Sequence, residues 1–353
     1  MISKNIISLS TDLKKTFVNL DQTISHALKS LNYSGARICI VVDKKNFFKG
    51  LINDGDIRRA LLKGKNLETK IDQIYNKKPI VVKENFNTNI ILKKLKKKGV
   101  DQAPIIKNKK VIGIYNVKRS ISENLRIPAV IMAGGMGSRL KPVTNKIPKA
   151  LVTINKVPML SKVINNLKKY GLYNFILTTY YKSIQIKNYY KKGKSLNVKI
   201  DYVTEKKPLG TAGSLSLLRH KIKEKNFLLT NCDVISEINY RSLIDFHIKN
   251  KADLTMAVKK YTTENQFGEI NLNGIKISKI DEKPKKNIII NSAIYVLKTK
   301  YLKHLKYNQF IDMNDFIMQL IKMNKKVVAF PFYENWFDLG TKEQLKIFKN
   351  NFD

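Results

Sequence analysis

Residues 130–149 read Val-Ile-Met-Ala-Gly-Gly-Met-Gly-Ser-Arg-Leu-Lys-Pro-Val-Thr-Asn-Lys-Ile-Pro-Lys, and this stretch limits the possible folds more than any other. A short apolar run ends at Ala133 and passes into the glycine turn Gly134-Gly135-Met136-Gly137. Arg139 follows two residues after the last glycine, and Lys149 comes ten residues after that. Glycines leave backbone N–H groups bare and open to close approach by an anion. A strand, a bare turn and two fixed cations suit the binding of a nucleoside triphosphate by a parallel α/β sheet. The turn is not the dinucleotide fingerprint, because Leu140 occupies its last glycine position. Gly193-Lys194-Ser195 ends like a P-loop, but Asn188 stands where that loop needs glycine.

From Ile127 onward, apolar strand-like runs alternate with helical stretches. Strands are predicted at 129–132, 175–179, 199–203, 227–230, 254–258 and 289–296. Helices are predicted between them, for example at 159–170 and 212–219. Alternation of this kind predicts an α/β domain with a mostly parallel, Rossmann-like sheet and helices on both faces. Ligands then sit beyond the carboxyl ends of the strands. A helix is predicted at 342–349, and no hexapeptide-repeat tail is expected after it.

Residues 1–120 carry an internal repeat. Ala36–Val42, the turn 43–46 and Phe47–Asn53 form one predicted hairpin. About 63 residues later, Ala103–Ile106, the turn 107–110 and Val111–Asn116 form another. Each follows a helical stretch, Ser25–Leu31 in the first copy and Thr88–Lys98 in the second. Units this small cannot bury a core alone, so the copies are expected to pack side by side. The expected organisation is a repeat pair at 1–120, a polar joint at 121–126 and the α/β domain at 127–353.

The formal net charge is +40, which raises a nucleic-acid reading. Only eight of the 67 basic residues are arginine, and the lysines are spread along the whole chain. This reads as a solvated lysine coat, and no nucleic-acid partner is expected. Cys39 and Cys232 lie in apolar contexts outside any C-x-x-C pair, so a reducing cytoplasm is expected. No signal-peptide pattern opens the chain, and no apolar run nears the roughly 20 residues of a spanning helix, so no membrane partner is expected. The four histidines lack metal-ligand spacing.

Two carboxylates stand out. Asp233 follows the apolar run Phe227–Cys232, where a charge is costly unless it is paired or ligates a cation. Asp338 lies in Trp-Phe-Asp-Leu-Gly-Thr at 336–341. Further motifs are Glu205-Lys-Lys-Pro-Leu-Gly-Thr-Ala-Gly, Phe267-Gly268-Glu269, Glu282-Lys283-Pro284 and Asn291-Ser292-Ala293-Ile294-Tyr295.

In this order, from Ala133 to Thr341, the motifs resemble those of the sugar-1-phosphate nucleotidyltransferases, including the head motif G-G-x-G-[ST]-R-L-x-P-[LV]-T-x-x-x-P-K-A-L. The resemblance implies transfer of a nucleotidyl group from a nucleoside triphosphate to a sugar 1-phosphate, releasing pyrophosphate. It implies that Ala133, Gly134, Gly135, Gly137, Ser138, Glu205 and Gly210 bind the nucleotide. Gly268, Glu282, Lys283 and Asn291 would bind the sugar phosphate. Arg139, Lys149 and Asp233 would act in catalysis, and Asp233 with Asp338 would hold Mg²⁺. Ala293 departs from the family's usual glycine.

The N-terminal repeat resembles a tandem pair of cystathionine β-synthase (CBS) domains. Asp56 matches the aspartate that holds a ribose diol in that family, whereas Arg119 replaces it in the second copy. At most one adenine-nucleotide site is implied, and an even-numbered homo-oligomer, dimer or tetramer, is expected. CBS repeats ahead of a compact transferase resemble a subgroup making GDP-sugars for surface glycans. Within it, the glucosamine 1-phosphate guanylyltransferases of the legionaminic acid route come first, and mannose- or heptose-1-phosphate guanylyltransferases second. Uridylyl or thymidylyl transfer is a further alternative. A nucleotide-sensing regulator with an inactive transferase domain is the non-enzyme alternative, which the presence of Arg139, Lys149, Asp233, Lys283 and Asp338 argues against.

Overall fold

The computed structural model describes residues 6–8, 11–34, 36–84, 86–98, 100–116, 125 and 127–351. Arg119 and, apart from Leu125, the expected joint at 121–126 lie outside the described residues. The chain separates into two compact units, Met1–Ile121 and Ser122–Asp353.

The first unit is built twice from one plan. Its elements are β1 (Ile6–Ser8), β2 (Phe17–Asn19), α1 (Ile24–Ser34), β3 (Ile38–Val42), β4 (Phe48–Asn53) and α2 (Asp54–Leu62). β5 (Val82–Lys83), α3 (Thr88–Lys98), β6 (Gln102–Lys107) and β7 (Lys110–Asn116) follow. β2 lies parallel to β3, which turns back antiparallel into β4. β5, β6 and β7 repeat that pattern. The copies share a core, in which Leu13, Ile38, Ile40, Val42 and Leu51 meet Val111 and Ile114. Each sheet also borrows an edge. β1 pairs with β7 of the second repeat, and Asn76 bridges to Leu51 of the first.

The second unit is an α/β layer structure, as the alternating pattern predicts. A seven-stranded sheet holds β8 (Ala129–Ala133) between β11 (Asn174–Thr179) and β13 (Asn226–Asn231), with β12 (Lys199–Thr204) outside β11. On the other flank β18 (Lys285–Lys298) pairs antiparallel with β13 and with β15 (Leu254–Glu264), and β15 runs parallel to β19 (Val327–Phe332). β18 is therefore the one reversed strand of this sheet. The remaining strands form pairs of their own: β9 (Thr153–Ile154) with β10 (Val157–Pro158), β14 (Val234–Ser236) with β20 (Trp336–Asp338), and β16 (Glu269–Asn273) with β17 (Lys276–Asp281).

Burial on both faces explains why the central strands are apolar throughout. Ala129, Ile131 and Ala133 of β8 join one core and Val130 the other. Helix α4 (Met159–Lys168) meets the first core with Leu160, Val163, Ile164 and Leu167, one stripe of a 3.6-residue period. α5 (Ser183–Tyr190) and α6 (Tyr240–Lys249) lie on the same layer, which buries Ile186 and Leu243. α7 (Met313–Lys322) covers the second core with Met313, Phe316, Ile317 and Leu320. The final helix, α8 (Lys342–Asn351), adds Phe348 to a small core with Leu140, Val152 and Leu339.

Two segments depart from the sequence expectation. The helix expected at 212–219 is one α-helical turn, Gly210–Gly213, followed by a 3-10 turn, Ser214–Leu218. Ser216 Oγ donates to Gly213 O at 2.7 Å, a local bond that competes with the helical ladder. The strand expected at 289–296 is β18, whose first half leaves the core and pairs with β15 as far as Glu264↔Lys285.

His247 is 1% exposed, between Thr255 Oγ1 at 2.8 Å and Asn226 Oδ1 at 3.3 Å. Burial, with Lys298 nearby, pushes its pKa down to about 4. The unfolded chain takes up this proton near pH 6.5 and the folded chain only near 4, so stability falls as pH drops through that window. We expect this site to cost about 2 kcal/mol between pH 7.5 and 5. Urea unfolding at the two pH values, with His247→Phe lacking that increment, measures it.

Candidate active site

The candidate site lies beyond the carboxyl end of β8. Ala133 closes the strand, buried, and Gly134 and Gly135 carry the backbone outward. Gly137 takes φ +64°, a left-handed conformation that glycine adopts without penalty, and a Cβ there would lie 2.9 Å from Thr144. Thr144 Oγ1 donates to Gly137 O at 2.8 Å and fixes the far side of the turn. Tyr181 donates from its hydroxyl to Thr144 O at 3.0 Å and from its N–H to Gly134 O at 3.3 Å. Ser138 opens a 3-10 turn that carries the exposed Arg139, and Leu140 buries its far end.

Sequence positions 233 and 338 are brought together by β14 and β20, in which Val234 pairs with Asp338. Leu339 N donates to Asp233 O at 2.9 Å, locking the two strand ends. The Asp338 carboxyl lies beside that of Asp233. Burial, then the neighbouring Asp233 charge, raises its pKa above the usual carboxylate range. Lys149, at the start of the 3-10 turn Lys149–Leu151, donates to Asp233 Oδ2 as a charged pair. Arg139 stands on the same spot: a Cβ on Gly340 would lie 2.8 Å from both Arg139 Nη2 and Asp338 Oδ1. The structure therefore gathers Arg139, Lys149, Asp233 and Asp338, which are up to 199 residues apart in the chain.

Among the described residues no group of three or more His, Cys, Asp or Glu side chains could hold a metal. The Asp233–Asp338 pair has the right donors for a hard divalent cation that takes its other ligands from substrate phosphate and water. The elevated pKa of Asp338 fits the same role, because two like charges side by side favour a shared cation.

Glu205 follows β12 and is 8% exposed. Its Oε2 accepts from Leu209 N at 3.1 Å, and a Cβ on Gly134 would lie 2.8 Å from its Oε1. The carboxyl thus lies directly over the glycine turn. Burial pushes its pKa up to about 7. Gly210 heads the next short helix, beside Ile311 O and Asp312. Thr211 ties that helix to α7, accepting from Met313 N at 2.7 Å and donating to Asp312 Oδ1 at 3.1 Å.

The residues that the resemblance assigns to the sugar phosphate fall into two groups. Asn291 sits on β18 where the pairing with β15 shifts register between Met256 and Val258. It donates to Tyr295 Oη at 2.7 Å and to Asn314 Oδ1 of α7 at 3.2 Å. Ser292 O accepts from Trp336 Nε1 at 3.0 Å, which ties this bulge to the Asp338 strand. Gly268 and Glu282 meet farther along the β15–β18 ribbon, where a Cβ on Gly268 would lie 3.1 Å from Glu282 Oε2. Lys283 is beside them, exposed. Tyr181 and Asn314 escaped the sequence reading. Each acts through a partner distant in sequence, and neither lies in a motif.

In the first unit Asp56 is engaged within its own helix. Its Oδ2 accepts from Asn53 N at 3.0 Å, Asn53 Oδ1 accepts from Asp56 N at 2.9 Å, and Oδ1 pairs with Arg59. This is a capping box at the start of α2.

A family profile described as Nucleotidyl transferase matches residues 128–351, and one described as CBS domain matches 3–63 and 71–119. Mannose-1-phosphate guanylyltransferase of Mycobacterium tuberculosis is 27% identical over 225 residues, covering 62% of this chain and 62% of that protein. The chain therefore spans about three fifths of the length of that relative. D-glycero-alpha-D-manno-heptose 1-phosphate guanylyltransferase of Campylobacter jejuni is 30% identical, covering 61% of this chain and 95% of the relative. The crystal structure of HddC from Yersinia pseudotuberculosis, complexed with GMP-PN, superposes with a TM-score of 0.52 at 26% identity, over 64% of this chain and 100% of that one. No helix among the described residues is long and apolar enough to cross a membrane. With the glycine turn, the paired aspartates and a match over residues 128–351, this chain belongs to the nucleotidyl transferase family and carries CBS domains ahead of its transferase domain.

Proposed function

We propose that the chain transfers a guanylyl group from GTP to a sugar 1-phosphate, giving a GDP-sugar and pyrophosphate. The observation that carries this reading is the convergence of Asp233, Asp338, Lys149 and Arg139 at the mouth of the glycine turn. The attacking group is the sugar phosphate oxygen. With a second pKa near 6 it is already ionised at neutral pH, so no general base is required. Catalysis rests on alignment and charge neutralisation. A divalent cation, Mg²⁺ in this proposal, would be held by Asp233 and Asp338 and would neutralise phosphate charge. Arg139 would stabilise the leaving pyrophosphate, and Lys149 and Lys283 the attacking phosphate. Lys149 spends the free state on Asp233, and so enters the reaction by exchanging a carboxylate for a phosphate.

The base assignment rests on Glu205 above the turn. A carboxylate there accepts from the N1–H and N2–H₂ edge of guanine. Guanylyltransferases among the relatives support the same choice. Those relatives are named for mannose and heptose 1-phosphates. Preference for glucosamine 1-phosphate rests on the CBS-fused arrangement alone. Gly268, Glu282 and Asn291 are the side of the site we propose reads the sugar.

Three outcomes are expected. In a pyrophosphate-release panel of GTP, UTP, dTTP and CTP against glucosamine, mannose, glucose and heptose 1-phosphates, GTP turns over fastest; a preference for another base overturns the base assignment. Asp233→Asn lowers kcat at least about a hundredfold, equivalent to roughly 2.7 kcal/mol. GTP binding, measured by titration calorimetry, weakens about tenfold between pH 8 and pH 6 as Glu205 takes up a proton, and Glu205→Gln flattens that profile.

A further inference from the structure

The segment from Gly135 to Lys146 runs almost wholly at the surface. Only Leu140 and Thr144 within it are buried, and Thr144 is 1% exposed. A glycine-bearing loop has many conformations open to it, and fixing one of them costs entropy that packing or hydrogen bonds must offset. Leu140 is held by apolar contact, in the small core with Val152, Leu339 and Phe348. Thr144 is held by polar bonds. Its Oγ1 donates to Gly137 O at 2.8 Å, and its own carbonyl accepts from Tyr181 Oη at 3.0 Å.

Tyr181 grips the loop at two places. Its hydroxyl holds Thr144, and its N–H donates to Gly134 O at 3.3 Å. Gln185, farther along the same chain segment, donates from Nε2 to Lys146 O at 3.3 Å and holds the same helical turn, Val143–Lys146. The support behind these bonds is rigid. Tyr181 comes two residues after β11, an inner strand in which Thr179 pairs with Ala133 on one side and Thr204 on the other. Helix α5 begins two residues after Tyr181 and buries Ile186 and Tyr190, and Tyr190 Oη bonds Ser161 Oγ of α4 at 2.9 Å.

Thr144 in turn sets the phosphate side of the site. A Cβ on Gly137 would lie 2.9 Å from Thr144 and 3.1 Å from the Cβ of Lys149. The base side is held separately, with Glu205 Oε2 accepting from Leu209 N at 3.1 Å. Removing the Tyr181 hydroxyl therefore frees the turn at Thr144 and leaves Glu205 in place.

On the nucleotidyl-transfer reading of this site, on which the inference rests, we propose that Tyr181 is a positioning residue. Acting through Thr144, its hydroxyl holds the glycine turn in the conformation that receives the triphosphate. The test uses the full chain and titration calorimetry with magnesium, comparing GTP, GMP and inorganic pyrophosphate. Tyr181→Phe keeps the ring and the backbone bond to Gly134 and removes only the hydroxyl. GTP and pyrophosphate are expected to bind about tenfold more weakly, and GMP within about twofold of wild type. Thr144→Val keeps the branched shape, drops the bond to Gly137 O and is expected to show the same selective loss. The double variant is expected to lose little more than either single one, because both cut one linkage. A variant that is merely unstable gives wild-type constants at reduced stoichiometry, and that result overturns the proposal. Equal losses for GTP and GMP, or losses that multiply in the double variant, overturn it as well. A wild type that binds pyrophosphate but not GTP overturns the base assignment instead, and the pyrophosphate titrations then decide the role of Tyr181. A wild type that binds neither overturns both.

Discussion

The ion pair between Lys149 and Asp233 is the contact on which the rest of the transferase domain turns. A carboxylate that is 5% exposed is costly to keep charged, and a second carboxylate beside it makes matters worse. Lys149 offsets both costs in the free protein. It reaches them from the 3-10 turn Lys149–Leu151, and its Cβ and Thr144 stand so close to Gly137 that a side chain there would collide with both. The strand pair that joins residue 338 to residue 234 is the other half of the same constraint. A site built this way is poised for polyanions: its cations and its acids are held in balance until a phosphate arrives to take the lysine.

Much of this was legible in the chain. The apolar runs that became β8, β11 and β13 have no polar alternation, which identifies strands covered on both faces. Arg139 and Lys149 were marked by their spacing after the glycine turn, Asp233 by a charge set after an apolar run, and Asp338 by the motif at 336–341. The repeat in the first unit showed in its turns, where Asp43–Asn46 and Lys107–Lys110 punctuate matching hairpins.

Other parts could not be read, for physical reasons. The bulge at Ser278 reverses which side of β17 is apolar, and a period-two reading across a bulge assigns the wrong face. The 3-10 turn at 214–218 depends on a serine hydroxyl capturing a carbonyl. Asn314 reaches Asn291 only because α7 packs over β18's end of the sheet. The environment of Ala293 belongs here too. It takes φ +56°, in the left-handed region. Glycine takes such a bend without penalty, and alanine holds it at a cost of about 1–2 kcal/mol.

The crossed edges of the N-terminal repeats set how that unit comes apart. Because the leading strand completes the second sheet and Asn76 touches the first, neither copy is whole with its own residues alone. Loosening one uncovers hydrogen-bonding groups on the other, so the two melt as a single cooperative body. Truncation or grafting that separates them would expose a raw sheet margin, open to adhesion between chains.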